Sequence, residues 1–197
     1  MKNFSLELPT IIVEKTHVIK DRAHDLHIEF HGLAHTAGDV VVFCPQKRAV
    51  ATGDMIHNQV PYMPDAYPRF WPKTIDSVAQ LDFDRILPGH GPVQTTRKFM
   101  TCLRNYLEEL VLRVEEGKKA GKTVQEMQEI LTMATLKSLQ AEGYGKYLQA
   151  NRDDIFAHWG NTYLGPPPVF QSSLNANTRI TYRNLDRGMG TVPEPKR

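Results

Sequence analysis

The sequence has few cysteines, no long apolar run and no strong excess of charge of either sign. Its two cysteines, Cys44 and Cys102, are too few for a disulfide framework and lack the paired spacing of a thiolate zinc site. No run of about 18 apolar residues is present, so we expect no transmembrane helix. Residues 1–9 contain one lysine and no apolar stretch, so no secretory signal is predicted and the default expectation is a cytoplasmic location.

The charge and the composition exclude further classes of protein. The formal net charge is +2, and the lysines and arginines are dispersed along the 197 residues. A dedicated nucleic-acid-binding protein usually carries a basic stripe, so we do not expect nucleic acid as a partner. We do not expect a membrane as a partner either. The hydrophobic fraction of 41% and the charged fraction of 23% are typical of a globular domain with a real core.

The first half of the chain is predicted to form short strands separated by tight turns. Residues 10–19 are rich in β-branched side chains. Residues 25–31 alternate, with Leu26 and Ile28 on one face and His27 and Glu29 on the other, and a hairpin would join these two segments. Further strands are predicted over residues 39–44, 48–52 and 83–87.

A proline-interrupted loop is predicted between residues 53 and 71. It contains aromatic side chains, among them Tyr62, Tyr67 and Trp71. Such side chains on a stiff loop suit the wall of a substrate pocket, and they equally suit a small packed cluster under the loop. His57 and Asn58, near the start of the loop, are further candidates for the pocket lining.

The second half of the chain is predicted to be helical. A short helix is predicted over residues 74–81 and a long one, with an apolar stripe, over residues 95–120. Thr123 and Glu126 have the spacing of a capping box, which predicts a helix from there to about residue 142. A further helix is expected over residues 151–163. Residues 1–163 are thus interpreted as one domain, and residues 164–197 as an irregular proline-rich and polar tail.

Three short motifs place possible metal ligands at sharp turns beside predicted strands. They are HTAGD with His35, GD with Asp54, and PGHGP with His90. Imidazole nitrogen and carboxylate oxygen both suit zinc or iron, and a carboxylate can bridge two cations. Each motif is weak alone, because a histidine or a Gly-Asp pair at a turn is usually an ordinary loop feature. Their order is more specific than any one of them.

The series HTAGDVVVF, ATGD and ILPGHGPV resembles the C-terminal motifs of the metallo-β-lactamase fold superfamily. The resemblance implies an α/β fold, a partial αββα sandwich followed by C-terminal helices. It also implies a two-metal site in which His35 binds the first metal, Asp54 bridges both metals with a catalytic role, and His90 binds the second. Asp39 is interpreted as a structural residue that fixes the first loop. His31 and the histidines outside the motifs are interpreted as non-ligands.

The resemblance implies that the metals are zinc, with iron or manganese left open. It further implies a small-molecule substrate with an ester, thioester or lactone-type bond, cleaved by metal-bound hydroxide. An aspartate at position 54 is similar to the thioesterases and lactonases of the superfamily and disfavours the β-lactamases that use cysteine there. The specific substrate cannot be inferred from these residues.

The superfamily's N-terminal motif His-x-His-x-Asp-His is absent from this sequence. With His35, Asp54 and His90 alone, each metal would have two protein ligands, whereas a catalytic zinc normally has about three. We therefore expect a truncated site with weak metal binding, and a chain that self-associates or depends on a missing N-terminal half. The alternatives are a non-catalytic fragment or pseudoenzyme, and one half of a split enzyme, that binds a partner through an exposed sheet.

Overall fold

The first half of the protein forms a mixed five-stranded sheet. The structure is a computed structural model that describes residues 8–150 and 170–189. The strand order follows the chain: β1 Thr16–Lys20, β2 Asp25–Glu29, β3 Val41–Cys44, β4 Ala49–Gly53 and β5 Arg85–Pro88. The first four strands pair antiparallel, and β5 pairs parallel to β4. The hairpin expected between the first two strands is confirmed, with Lys20 opposite Asp25.

Helices follow and flank the sheet. They are α1 Trp71–Val78, α2 Lys98–Lys119, α3 Val124–Ile130, α4 Lys137–Gln140 and α5 Phe170–Asn184. Helix α1 lies in the connection between β4 and β5, and α2 packs against α1, α4 and α5. The expected architecture, a partial α/β sandwich followed by helices, is confirmed. None of the helices in the described residues combines the length and the apolar composition that crossing a bilayer requires.

The two faces of the sheet differ in burial. Val41, Val50 and Ile86 lie on one face and are almost fully buried in the core shared with the helices. The same face of β2 carries His27, whose ring meets Phe43 edge-on at a centroid distance of 6.1 Å. The opposite face carries Leu26, which is 38% exposed. The alternation expected in this strand is present, and its polar side faces the helical layer.

The first strand is shorter than the sequence predicts. β-Structure was expected over residues 10–19, but β1 begins at Thr16. The length of β1 is limited by its partner strand β2. After His31 the chain turns away from β1 at Gly32, where φ is +136°. Ile11 and Ile12 therefore have no facing strand and are exposed.

Two helix boundaries also differ from the expectation. Helix α1 begins at Trp71, before the predicted residue 74, because Pro72 is tolerated in a first turn that needs no amide donor. The capping box of Thr123 and Glu126 is confirmed, but α3 ends at Ile130 and does not reach residue 142. The reason is local competition: the Thr135 hydroxyl donates to the Ile130 carbonyl oxygen at 2.5 Å and accepts from the Thr132 amide at 2.8 Å.

The predicted irregular tail contains a helix. Within residues 164–197, α5 spans Phe170–Asn184, so an irregular structure for that part was wrong. Phe170, Leu174 and Ile180 have helical spacing and are buried, so tertiary packing against α2 and α3 outweighs the polar composition of the segment. The helix expected over residues 151–163 lies outside the described residues. The domain boundary at residue 163 stays a prediction.

Candidate metal-binding site

The loop that carries His35 is fixed to α1 and to its own aspartate. The Thr74 hydroxyl donates to the Leu33 carbonyl oxygen at 2.7 Å. A Cβ atom at Gly32 would lie 2.7 Å from the same hydroxyl oxygen, so only glycine permits this approach. On the other side of His35, the Asp39 carboxylate accepts from the Thr36 amide at 2.8 Å and from the Thr36 hydroxyl at 2.5 Å. The structural role expected for Asp39 is confirmed.

Trp71 connects the His35 loop to the segment that carries Asp54. Its indole ring meets the His35 ring edge-on, with a centroid distance of 5.6 Å. Its indole N–H donates to the Met55 carbonyl oxygen at 3.0 Å, one residue beyond Asp54. Trp71 is fully buried, so it fixes two of the three motif loops from inside the core.

Asp54 and His90 meet at the ends of two parallel strands. β4 ends at Gly53 and β5 ends at Pro88, so the residues that follow both strands lie at the same edge of the sheet. The Asp54 Oδ1 atom lies 3.3 Å from His90 Nε2. This contact brings the second and the third motif into one site.

Gly89 makes this close approach possible. Its amide donates to the Gly53 carbonyl oxygen at 2.8 Å. A Cβ atom there would lie 2.1 Å from Asp54 Oδ1 and 2.7 Å from the Gly53 carbonyl carbon. Only glycine at position 89 therefore leaves room for the Asp54 carboxylate.

His57 lies buried beside the motif residues. Its ring meets the His90 ring edge-on at a centroid distance of 6.2 Å, and it is 4% exposed. Burial lowers the pKa of His57 to about 4; the Asp54 carboxylate acts in the opposite direction, and His35 and His90 lower the pKa further. His57 is thus a neutral imidazole near physiological pH, and all three predicted ligands lie close enough to affect it.

The predicted ligands have suitable chemistry but do not form a complete centre. Two imidazoles and a carboxylate are donors that zinc accepts. In residues 8–150 and 170–189, however, no group of three or more His, Cys, Asp or Glu side chains is arranged to hold a metal ion. Asp54 and His90 are in contact, and the His35 ring packs against Trp71. The described residues therefore do not by themselves fit the metal centre that the motifs imply, and we derive no reaction step through a metal.

The residues proposed for a substrate pocket are mostly buried. His57, Asn58, Tyr67 and Trp71 are each less than 10% exposed, whereas Tyr62 is 74% exposed. The burial of Tyr67 and Trp71 is what the alternative interpretation, a small packed cluster under the loop, predicts. The pocket role of all five side chains stays a prediction.

No sequence motif indicated Gln94 as part of the site. It lies four residues after His90, is 6% exposed, and its side-chain amide donates to Asn58 Oδ1 at 2.5 Å. Its backbone pairs with Ile86 in both directions at 2.9 Å, which closes the loop that carries His90. A single polar residue just beyond a motif carries no periodic signal, so only the fold identifies it.

Comparison with known proteins agrees with the motifs. Residues 3–90 match the family model described as the metallo-beta-lactamase superfamily. His35, Asp54 and His90 all lie within this range, so the resemblance carried by their motifs is confirmed for this part of the chain. None of the curated proteins compared with the chain matches it.

Several solved structures resemble parts of the fold. A metallo-beta-lactamase from Pontibacter korlensis is 22% identical, with a TM-score of 0.47 over 52% of this chain and 50% of that one. The metallo-beta-lactamase FIM-1 from Pseudomonas aeruginosa, in its mono-zinc form, is 26% identical, with a TM-score of 0.40 over 46% of this chain and 45% of that one. The chain thus covers about half the length of these structures.

Proposed function

We propose that this chain carries part of the active site of a metal-dependent hydrolase. His35, Asp54 and His90 are its metal ligands, and Asp54 also acts in catalysis. The contact of 3.3 Å between Asp54 Oδ1 and His90 Nε2 is the observation that carries the proposal. It joins two side chains that are 36 positions apart in the sequence and whose donor atoms suit the same cation.

The proposed metal is zinc in a two-metal site, with iron or manganese as alternatives. The substrate is a small molecule with an ester, thioester or lactone-type bond. The aspartate at position 54 supports this class because it is similar to the thioesterases and lactonases of the superfamily. Its hard carboxylate also suits a bridging position between two cations. Two protein ligands per cation would bind metal weakly, so the proposal includes further ligands from outside the described residues.

The chain's own residues have defined parts in this proposal. Asp54 Oδ1 and His90 Nε2 lie 3.3 Å apart, so these two donor atoms face the same space, where a cation would be held. His57 stays neutral beside them because burial lowers its pKa to about 4. It therefore adds no positive charge that would repel a cation.

A hydrolysis assay on the longest open reading frame tests the proposal. The DNA upstream of Met1 is read for an in-frame or neighbouring His-x-His-x-Asp-His coding stretch, and that segment is produced with this chain. With zinc added, thioester or lactone hydrolysis should appear, and Asp54→Asn should reduce kcat/KM by about a hundredfold or more. His24→Ala, a histidine outside the motifs, is the matched control. Absence of both the coding stretch and zinc-dependent hydrolysis would refute the proposal.

A second candidate function is a non-catalytic chain, or half of a split enzyme, that binds a partner through its sheet. The specific observation in its favour is the outer face of the sheet, where Ile19, Leu26 and Leu87 are 47%, 38% and 42% exposed. Large apolar side chains on one sheet face are usually covered by another layer. Under this hypothesis, Asp54→Asn would leave partner binding unchanged, whereas Leu26→Lys would weaken it.

A further inference from the structure

Asn58 lies between the segment of Asp54 and the loop of His90. It follows Asp54 by four residues and is 2% exposed. Its backbone amide donates to the His90 carbonyl oxygen at 3.4 Å, and its side-chain Nδ2 donates to the Pro92 carbonyl oxygen, also at 3.4 Å. One buried residue is thus bonded to the His90 loop on both sides of Gly91.

Gly91 leaves room for the Asn58 side chain. Its φ of +91° is a conformation that L-residues rarely adopt. A Cβ atom there would lie 2.9 Å from Asn58 Nδ2 and 3.0 Å from Asn58 Cβ. The absence of a side chain at Gly91 is therefore what allows Asn58 to pack against the loop directly beside His90.

Gln94 determines which way the Asn58 amide points. Its Nε2 donates to Asn58 Oδ1 at 2.5 Å, so Asn58 Oδ1 is the acceptor and Nδ2 is directed toward Pro92. Gln94 is itself held by two backbone hydrogen bonds of 2.9 Å to Ile86 in β5. The backbone of Gln94 is thus anchored to the sheet, and its side-chain amide links Asn58 to that anchor.

We infer that Asn58 is a positioning residue, oriented by Gln94, that holds the His90 loop so that the His90 ring stays against Asp54. The role rests on the proposed function, because it concerns the pair of side chains that would hold the metal. This role differs from lining a substrate pocket, because the backbone amide, Oδ1 and Nδ2 of Asn58 all form hydrogen bonds with other groups of the protein. Supporting groups of this kind commonly orient metal ligands.

Asn58→Leu tests this role in the chain without metal or substrate. Leucine has a similar volume and makes none of the side-chain hydrogen bonds. We expect amide hydrogen exchange at residues 89–91 to rise about tenfold or more, because their contacts with residue 58 weaken. Exchange in β3 and β4 should stay within about twofold of the original. The His90 ring ¹⁵N and ¹H resonances should shift, because the ring leaves the Asp54 carboxylate.

Two further variants keep the test decisive. Gln94→Glu serves as the test if Asn58→Leu does not fold. It removes the donor to Asn58 Oδ1 and should produce the same rise in exchange at residues 89–91 and the same shift of the His90 signals. Asn177→Ala is the matched control: Asn177 is 2% exposed and donates to the Tyr106 hydroxyl at 3.1 Å, in the interface of α2 and α5. It should lower overall stability and leave residues 89–91 and the His90 ring signals unchanged.

Unchanged exchange at residues 89–91 and unchanged His90 resonances in both site variants would overturn the inference. Since no metal or substrate enters these measurements, that result would leave the proposed function standing. Conversely, if no hydrolase activity is found for this chain, alone or with added segments, the rise in exchange at residues 89–91 is still expected. The two claims therefore fail separately.

Discussion

At the scale of single residues, the site depends on side chains that are absent as much as on those that are present. Gly89 and Gly91 flank His90, and each leaves space that a neighbouring polar side chain occupies, Asp54 in one case and Asn58 in the other. Because a Cβ atom at either position would meet these groups at 3.0 Å or less, the PGHGP motif is a steric requirement of the site.

Gly89→Ala tests this requirement. The new Cβ atom would lie 2.1 Å from Asp54 Oδ1 and 2.7 Å from backbone, so the loop must shift. We expect the free energy of unfolding to fall by about 1–3 kcal/mol in urea denaturation. Gly38→Ala is the control, since nothing lies within 4 Å of its added Cβ, and it should change stability by about 0.5 kcal/mol or less. Equal effects of the two substitutions would contradict the steric account.

His57 predicts a dependence of stability on pH. Its pKa in the folded chain is about 4, below the value of 6.5 for an unperturbed histidine, chiefly because of burial. The unfolded chain therefore binds the proton more readily, so the stabilisation is complete above pH 6.5 and is lost as the pH falls toward 4. Relative to His57→Gln, the wild type should lose about 3 kcal/mol across this window in urea denaturation at each pH. Parallel pH profiles for the two proteins would show that this account of His57 is wrong.

At the scale of elements, α1 supports the site from inside the fold. Thr74 fixes the chain before His35, Trp71 contacts His35 and the Asp54 segment, and the Ser77 hydroxyl lies 2.9 Å from His31 Nδ1. The other ring nitrogen of His31 lies 2.9 Å from Glu29 Oε2 in β2, so both nitrogens have partners within the protein. This agrees with the interpretation of His31 as a non-ligand.

Trp71→Phe should weaken the link between two motif loops. The substitution removes the donor to the buried Met55 carbonyl oxygen and shortens the ring that His35 contacts. We expect a loss of about 1–3 kcal/mol in thermal denaturation, because a buried acceptor is left unpaired. The His35 ring resonance should shift as well. Tyr62→Phe, at an exposed position of the loop before α1, should change neither the stability nor the His35 resonance. A shift of equal size in that variant would refute the link.

The sequence predicted elements better than their boundaries. Alternation located β2, and the Thr123–Glu126 box located the start of α3. Residues 132–135 ended that helix early through threonine hydroxyl bonds that no hydrophobic pattern reveals. The helix Phe170–Asn184 was missed because its polar composition hides a buried stripe whose partner helices are distant in sequence. The motifs predicted His35, Asp54 and His90 as metal ligands, and that role stays a prediction, whereas Gln94 emerged only from the fold.

At the scale of the whole molecule, the sheet is packed on one side more than on the other. Its inner face is buried with the helices, and its outer face exposes Ile19, Leu26 and Leu87. Exposed apolar side chains of this kind favour association. We therefore expect the purified chain to self-associate as its concentration rises.

Leu26→Lys combined with Leu87→Lys tests whether association uses this face. In sedimentation velocity, the double variant should need a protein concentration about tenfold higher than the wild type to associate, because association would bury two charges in the contact. Leu112→Lys is the matched control, since Leu112 lies on α2 and is 51% exposed. If Leu112→Lys dissociates the chain as strongly, the sheet face is not the contact.

The central claim is that this chain carries part of a metal site and does not complete it. The most direct test is the zinc content of the purified chain after dialysis against trace zinc, measured by elemental analysis beside a His35→Ala/His90→Ala variant. We predict well below one zinc per chain, with what is retained lost in the variant, because the described residues bring no three donors together. Near-stoichiometric zinc that depends on His35 and His90 would contradict the claim and would mean that a complete site assembles without the missing motif.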